Sequence, residues 1–170
     1  DIFPRNIRIL YHYICFSAKN QVERFYDRDF KHHIEGGDIL NLTEKTLAIG
    51  ISQRTQADAI EHIAKQIFFN STNKDIETIL AFNIPNNRAM MHLDTVFTQI
   101  DVDKFTIHPG IQGTLQVFEV TKGDAEGELK IVEVNDKLEN ILAKHLGVEK
   151  VTLIQCGGGD KVVADREQWN

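Results

Sequence analysis

The sequence predicts a mixed α/β fold, and three observations carry that prediction. Short apolar runs bounded by turn residues mark strands, and two segments carry helical periodicity. The order strand, strand, helix, strand then occurs twice along the chain. No residue-level repeat accompanies it. A repeated element order of this kind belongs to a fold assembled from similar modules rather than to a sandwich or a helical bundle.

The elements follow in order. Arg8 to Phe16 is apolar and aromatic and suits a helix or a strand, and Gln21 to Phe30 is polar and charged with aromatics among the charges. Ile39 to Leu42 and Thr46 to Ile51 read as a strand pair across the polar turn Thr43-Glu44-Lys45. Ile60, Ile63, Ala64, Ile67 and Phe68 recur at helical spacing and form the apolar stripe of an amphipathic helix. Thr78 to Ile84 is an apolar run stopped by Pro85, as a buried strand would be. His92 to Phe97, Lys104 to Ile107, Thr114 to Val120 and Glu128 to Val134 read as further strands, the last two joined by the glycine-bearing acidic turn Gly123 to Gly127. Asp136 is placed to cap a second helix with Glu139 as its capping-box partner. Leu138, Ile141, Leu142, His145 and Leu146 form that helix's inner face, and Gly147 is placed to end it. Val151 to Gln155 completes the series as a buried strand.

Length and composition set the bounds. The chain has 170 residues, which fits one domain or a large piece of one, and 42% hydrophobic residues suffice for a real core. The formal charge of -6 argues against a general nucleic-acid binder, which shows a basic face. No apolar run approaches the roughly 20 residues of a membrane span, and the start carries no secretory signal pattern. Two cysteines make no disulfide framework, so a reducing, cytoplasmic setting is the simplest fit.

Two segments concentrate the chemistry. In Met90-Met91-His92-Leu93-Asp94-Thr95-Val96-Phe97-Thr98 an imidazole and a carboxylate stand two residues apart. On a strand His92, Asp94 and Val96 share one side, leaving Leu93, Thr95 and Phe97 to pack on the other. Such a pair serves as acid/base machinery or as a grip for a cation; the alternative is a core histidine with an aspartate partner. In Glu35-Gly36-Gly37-Asp38 adjacent glycines permit a tight turn or a close backbone approach, with a carboxylate on each side. That is either a solvated turn or two acids held at a pocket edge.

Three further features need weighing. Arg54 lies at the exit of the Thr46 to Ile51 strand, where α/β folds place ligand contacts and where a planar fork suits a carboxylate; a surface arginine is the alternative. Cys156, ahead of Gly157-Gly158-Gly159-Asp160, has no base in its local sequence, so packing explains it better than nucleophilic chemistry, and Cys15 sits in an aromatic stretch as packing. The seven histidines lack the spacings of metal motifs, so no metal site is expected.

Taken together, four segments resemble arginine deiminases: Ile34-Glu35-Gly36-Gly37-Asp38-Ile39, Ala48-Ile49-Gly50-Ile51-Ser52-Gln53-Arg54-Thr55, Met91-His92-Leu93-Asp94-Thr95-Val96-Phe97-Thr98 and Arg166-Glu167-Gln168-Trp169-Asn170. They occur in the family's order, and the resemblance weakens only over roughly the first twenty residues. It implies a guanidine-modifying, pentein-like α/β propeller of strand-strand-helix-strand modules, with residues 1–170 forming part of one catalytic domain that is incomplete at both ends. It also implies hydrolysis of L-arginine to L-citrulline and ammonia through a covalent cysteine intermediate. No cofactor, nucleic acid or membrane takes part, and a homo-oligomer stays open.

Carried over residue by residue, the resemblance makes His92 the proton donor and water activator. Glu35 contacts the guanidinium and positions the base. Asp94 is one of two aspartates gripping the guanidinium nitrogens, Arg54 binds the α-carboxylate, and Arg5 matches a second carboxylate-binding arginine in a poorly aligned region. The family's nucleophilic cysteine motif would follow Asn170, and its other gripping aspartate would precede Asp1, so the isolated segment is expected to be inactive. Two other readings stay open: a non-catalytic arginine-binding module, and a metal-dependent hydrolase using His92, Asp94 and Glu35 as ligands.

Overall fold

A computed structural model of the chain describes residues 25–27, 29–72, 75–86 and 88–167. It divides into two compact units, residues 1–30 and 31–170. Arg5, the Arg8 to Phe16 segment, Cys15 and half of Gln21 to Phe30 lie outside the described residues. Every strand and helix below belongs to the second unit.

That unit is mixed α/β. β1 (Ile39–Asn41) and β2 (Thr46–Ile51) pair antiparallel, with Leu40 opposite Ala48. The expected turn joins them, closed by the Leu42 N–H on the Thr46 carbonyl at 3.1 Å. α1 (Ala57–Lys65) follows and widens into a π-type turn at Gln66–Asn70. The residues that predicted this helix, Ile60, Ile63, Ala64, Ile67 and Phe68, are all buried. β3 (Thr78–Asn83) then returns parallel to β2, with Ala48 opposite Leu80.

The segment after β3 departs from expectation. His92 to Phe97 is not a strand. His92 has extended backbone, but Leu93–Val96 closes a single helical turn, α2, and only Phe97 opens a strand. Local side-chain bonds outcompete a sheet ladder here. The Thr95 hydroxyl donates to the His92 carbonyl at 2.7 Å, and the Leu93 N–H is taken by the Asp38 carboxylate at 2.8 Å. The face shared by His92, Asp94 and Val96 on an extended strand therefore does not form.

β4 (Phe97–Asp101) and β5 (Lys104–Ile107) pair antiparallel. β6 (Gln116–Lys122) and β7 (Leu129–Glu133) form a hairpin over the predicted turn. α3 (Leu138–Leu146) leads to β8 (Thr152–Gln155), parallel to β5, and α4 (Lys161–Glu167) closes the described chain. Lys137 rather than Asp136 stands at the cap position of α3. Asp136 works from one residue outside, accepting the Lys137 N–H at 2.7 Å and the Asn140 amide at 2.8 Å, in place of the expected box with Glu139. Gly147 ends the helix in the left-handed conformation (φ 69°), which a glycine adopts without Cβ strain.

Two sheets result, in the orders β1-β2-β3-β6-β7 and β4-β5-β8. Each contains the same triplet, an antiparallel pair followed by a parallel strand reached through a helix. The β6–β7 hairpin interrupts the second triplet and joins the first sheet beside β3, with Phe82 opposite Val117. A shared apolar core links the sheets. Phe97 stacks on Phe82 (centroids 5.5 Å) and on Phe105 (4.8 Å), so one aromatic column runs from β3 through β4 to β5. Ile141 and Leu142 of α3 pack into the same core.

Phe97 is 1% exposed and contacts both sheets through that column. Phe97→Ala is expected to lower unfolding stability by about 3–5 kcal/mol in a urea titration. Val102→Ala, at an exposed site, should change it by no more than about 0.5 kcal/mol.

Candidate active site

Three loops meet at one end of the first sheet. Because β1 runs antiparallel to β2, the start of β1 lies beside the end of β2, with Ile39 opposite Ile49. Glu35 and the 3₁₀ turn Gly36–Asp38 lead into β1, and Ser52 to Thr55 lead out of β2. The His92 turn, between β3 and β4, completes the group.

Asp38 joins them. It is wholly buried, and its Oδ2 accepts the hydroxyls of Ser52 at 2.7 Å and Thr55 at 2.6 Å. Its Oδ1 accepts the Leu93 N–H. The two hydroxyls pass the connection on. Ser52 Oγ accepts the N–H groups of Arg54 (2.9 Å) and Thr55 (3.1 Å), and Thr55 Oγ1 accepts that of Glu35 (3.1 Å). Gly50 makes room for the carboxylate, since a Cβ there would lie 2.6 Å from Asp38 Oδ1.

On this frame the titratable groups converge. His92 Nε2 lies 2.7 Å from Glu35 Oε2, and His92 Nδ1 lies 3.9 Å from Asp94 Oδ1. Arg54 Nη1 is 3.9 Å from Glu35 Oε1, while Arg54 Nη2 donates to the Met91 sulfur at 3.4 Å. Gly37 is the floor beneath them. A Cβ on it would sit 2.9 Å from Asp94 Oδ2 and 3.1 Å from the His92 ring, so the second glycine is a requirement of close approach. Glu35, Arg54, His92 and Asp94 thus share one site. His92 and Asp94 meet through the curl of α2 rather than through strand alternation.

The arrangement is an imidazole flanked by two carboxylates, with one guanidinium at the rim. It can exchange protons at the imidazole and hold a planar cation between acids. Desolvation holds the Asp94 carboxyl above its ordinary range; the Asp38 charge pushes the same way, and His92 opposes it. Asp38, which accepts these three hydrogen bonds, appears in the sequence only as half of an acid pair flanking glycines.

Other features stand apart from this group. Cys156 follows β8 on the second sheet, where it opens the turn Cys156–Gly159. His108, after β5, faces Asp165 of α4 at 3.1 Å and accepts the Gly110 N–H on Nδ1, which ties α4 to the second sheet. A groove of about 300 Å³ lies along α1, β3, β6 and β7, lined by Ile60, Ala81, Phe118 and Ile131, and shares none of the four site residues. Among the described residues no group of three or more His, Cys, Asp or Glu side chains is placed to hold a metal ion. No helix among them is long and apolar enough to cross a membrane.

Comparison with known proteins points in one direction. A family model described as arginine deiminase matches residues 7–170. The chain is 59% identical over 150 residues to an arginine deiminase of Treponema denticola, covering 88% of this chain and 36% of that protein. It is 48% identical over 164 residues to one of Clostridium perfringens (95% and 39%) and 55% identical over 149 residues to one of Streptococcus gordonii (88% and 36%). The chain therefore spans between 36% and 39% of the length of these relatives.

The raised Asp94 has a consequence for stability. Its ionised form is less favourable folded than unfolded, so it costs stability at neutral pH. That cost fades as pH falls through the folded value and vanishes below the ordinary carboxylate range. Asp94→Asn should therefore be more stable than the parent at neutral pH, by less than about 1 kcal/mol because the half-exposed group is screened. Paired melts should show the difference closing in acid.

Proposed function

Because the chain belongs to the arginine deiminase family, we propose that it carries the proton-transfer and substrate-gripping part of an enzyme converting L-arginine to L-citrulline and ammonia. The observation that carries this reading is the His92–Glu35 contact at 2.7 Å, with Asp94 on the other ring nitrogen and Arg54 at the rim. A guanidinium is planar and cationic, and carboxylates are its bidentate partners. Glu35 already has the Arg54 guanidinium within 3.9 Å. In the proposed complex the substrate guanidinium lies against Glu35 and Asp94, and Arg54 turns to the substrate α-carboxylate. Arg5 serves as a second carboxylate contact.

The proposed chemistry proceeds in two steps. A thiolate attacks the guanidinium carbon, the C–N bond breaks, and ammonia leaves with a proton delivered by His92. His92 then removes a proton from water, which attacks the thiouronium carbon. The C–S bond of that adduct breaks as its hydroxyl proton passes to solvent, and citrulline and the thiolate are released. We assign the thiolate to a residue other than Cys156, which belongs to the second sheet rather than to the loops around His92. The repeated strand triplet supports reading the two sheets as successive blades of a pentein-like propeller.

Arg54→Ala should weaken arginine binding by about 10- to 100-fold, the cost of losing hydrogen bonds to a charged group. Binding of the decarboxylated analogue should stay within about twofold, and calorimetry on both ligands separates the two effects. The 170-residue chain should bind arginine without sustained citrulline release, because proton transfer by His92 alone supplies only about 10²- to 10⁴-fold. Turnover by the parent that disappears in Cys156→Ala would place the nucleophile at Cys156 and overturn that assignment. Turnover that persists in Cys156→Ala would exclude a thiol of this residue and contradict the inactivity of the segment.

A further inference from the structure

We propose that Asp38 is the positioning residue of this site, setting the approach of Glu35, Arg54 and His92 and supplying a buried negative charge behind the guanidinium pocket. The proposal rests on the arginine-binding reading. Its first support is connectivity. Each of the three loops bearing site residues is tied to the one carboxylate: Glu35 through Thr55, Arg54 through Ser52, and the His92 turn directly through Leu93 N–H.

The second support is that only a carboxylate satisfies the donors. Ser52 Oγ already accepts two backbone N–H groups, and Thr55 Oγ1 accepts one. With those acceptor positions used, both hydroxyl protons point to Asp38 Oδ2, while a backbone N–H points to Oδ1. An asparagine could offer its oxygen to the hydroxyls only by turning its own NH₂ against the Leu93 N–H. A glutamate would overfill the space that Gly50 leaves.

The third support is charge. Among the described residues no cationic side chain stands within ion-pair distance of Asp38. A buried carboxylate without a cation is costly, and a guanidinium bound in the pocket would bring the positive charge that Asp38 lacks. Asp94 already feels this charge across Gly37.

The test compares Asp38→Asn with Ile79→Val, a change at a fully buried residue of β3 that is none of the site residues, in the full chain at one pH. Three quantities are read: melting temperature, arginine affinity, and the ¹⁵N signals of the His92 ring, which report whether Nε2 keeps its bond to Glu35. Asp38→Asn is expected to lower arginine affinity at least tenfold and to move the His92 signals. Ile79→Val should lose stability and leave both unchanged. Unchanged affinity and His92 signals in a folded Asp38→Asn would overturn the proposal, and so would equal losses in Ile79→Val. Should Asp38→Asn not fold, Thr55→Val, which cuts the relay to Glu35, is read in the same way. Shifted His92 signals with weakened binding support the proposal; no change in either overturns it. If the parent itself does not bind arginine, the functional reading fails, and the His92 signals still decide the role of Asp38.

Discussion

One buried carboxylate holds this site together. Asp38 takes three hydrogen bonds from two loops distant from its own in sequence, and Glu35, Arg54 and the His92 turn are each at most one relay away from it. A fully desolvated carboxylate is costly. The surroundings offset that cost with three short donors and with Gly50, whose missing side chain admits the group. The loops then have little freedom, and the His92–Glu35 contact needs no support from a sheet ladder.

The same constraint explains the local shape around His92. A strand would have spread His92 and Asp94 along an extended ladder. Capture of the Leu93 N–H by Asp38 and closure of Thr95 onto His92 curl the chain into a single turn, and both ring nitrogens then face carboxylates. Beneath them the aromatic column of Phe82, Phe97 and Phe105 anchors the end of that turn, since Phe97 begins where α2 stops. Core packing thus fixes one side of the site and the Asp38 network the other.

The local part of this architecture was legible in the sequence. The β1–β2 pair, the stripe of α1 and the glycine stop of α3 are short-range signals, and each appears at or close to its expected place. Three features were hidden because they depend on distant partners. The curl at His92 to Val96 needs Asp38, 55 residues away. The hairpin β6–β7 looks like any other hairpin, yet pairing with β3 places it in the first sheet. α4 was not anticipated as an element, and its tie to the second sheet runs through His108, 57 residues before Asp165. Within the site, Glu35, Arg54, His92 and Asp94 were marked by residue type and resemblance. Asp38 was visible only as a flanking acid, because burial and donor count cannot be read from composition.

The central claim is that acids and base at this sheet end receive a guanidinium. The most direct measurement is a crystal structure of the chain grown with L-arginine. The account predicts the guanidinium within hydrogen-bond distance of the Glu35 and Asp94 carboxylates, with Arg54 moved onto the α-carboxylate. Arginine bound in the reverse direction, or bound only in the groove along α1 with Arg54 still against Glu35, would contradict it.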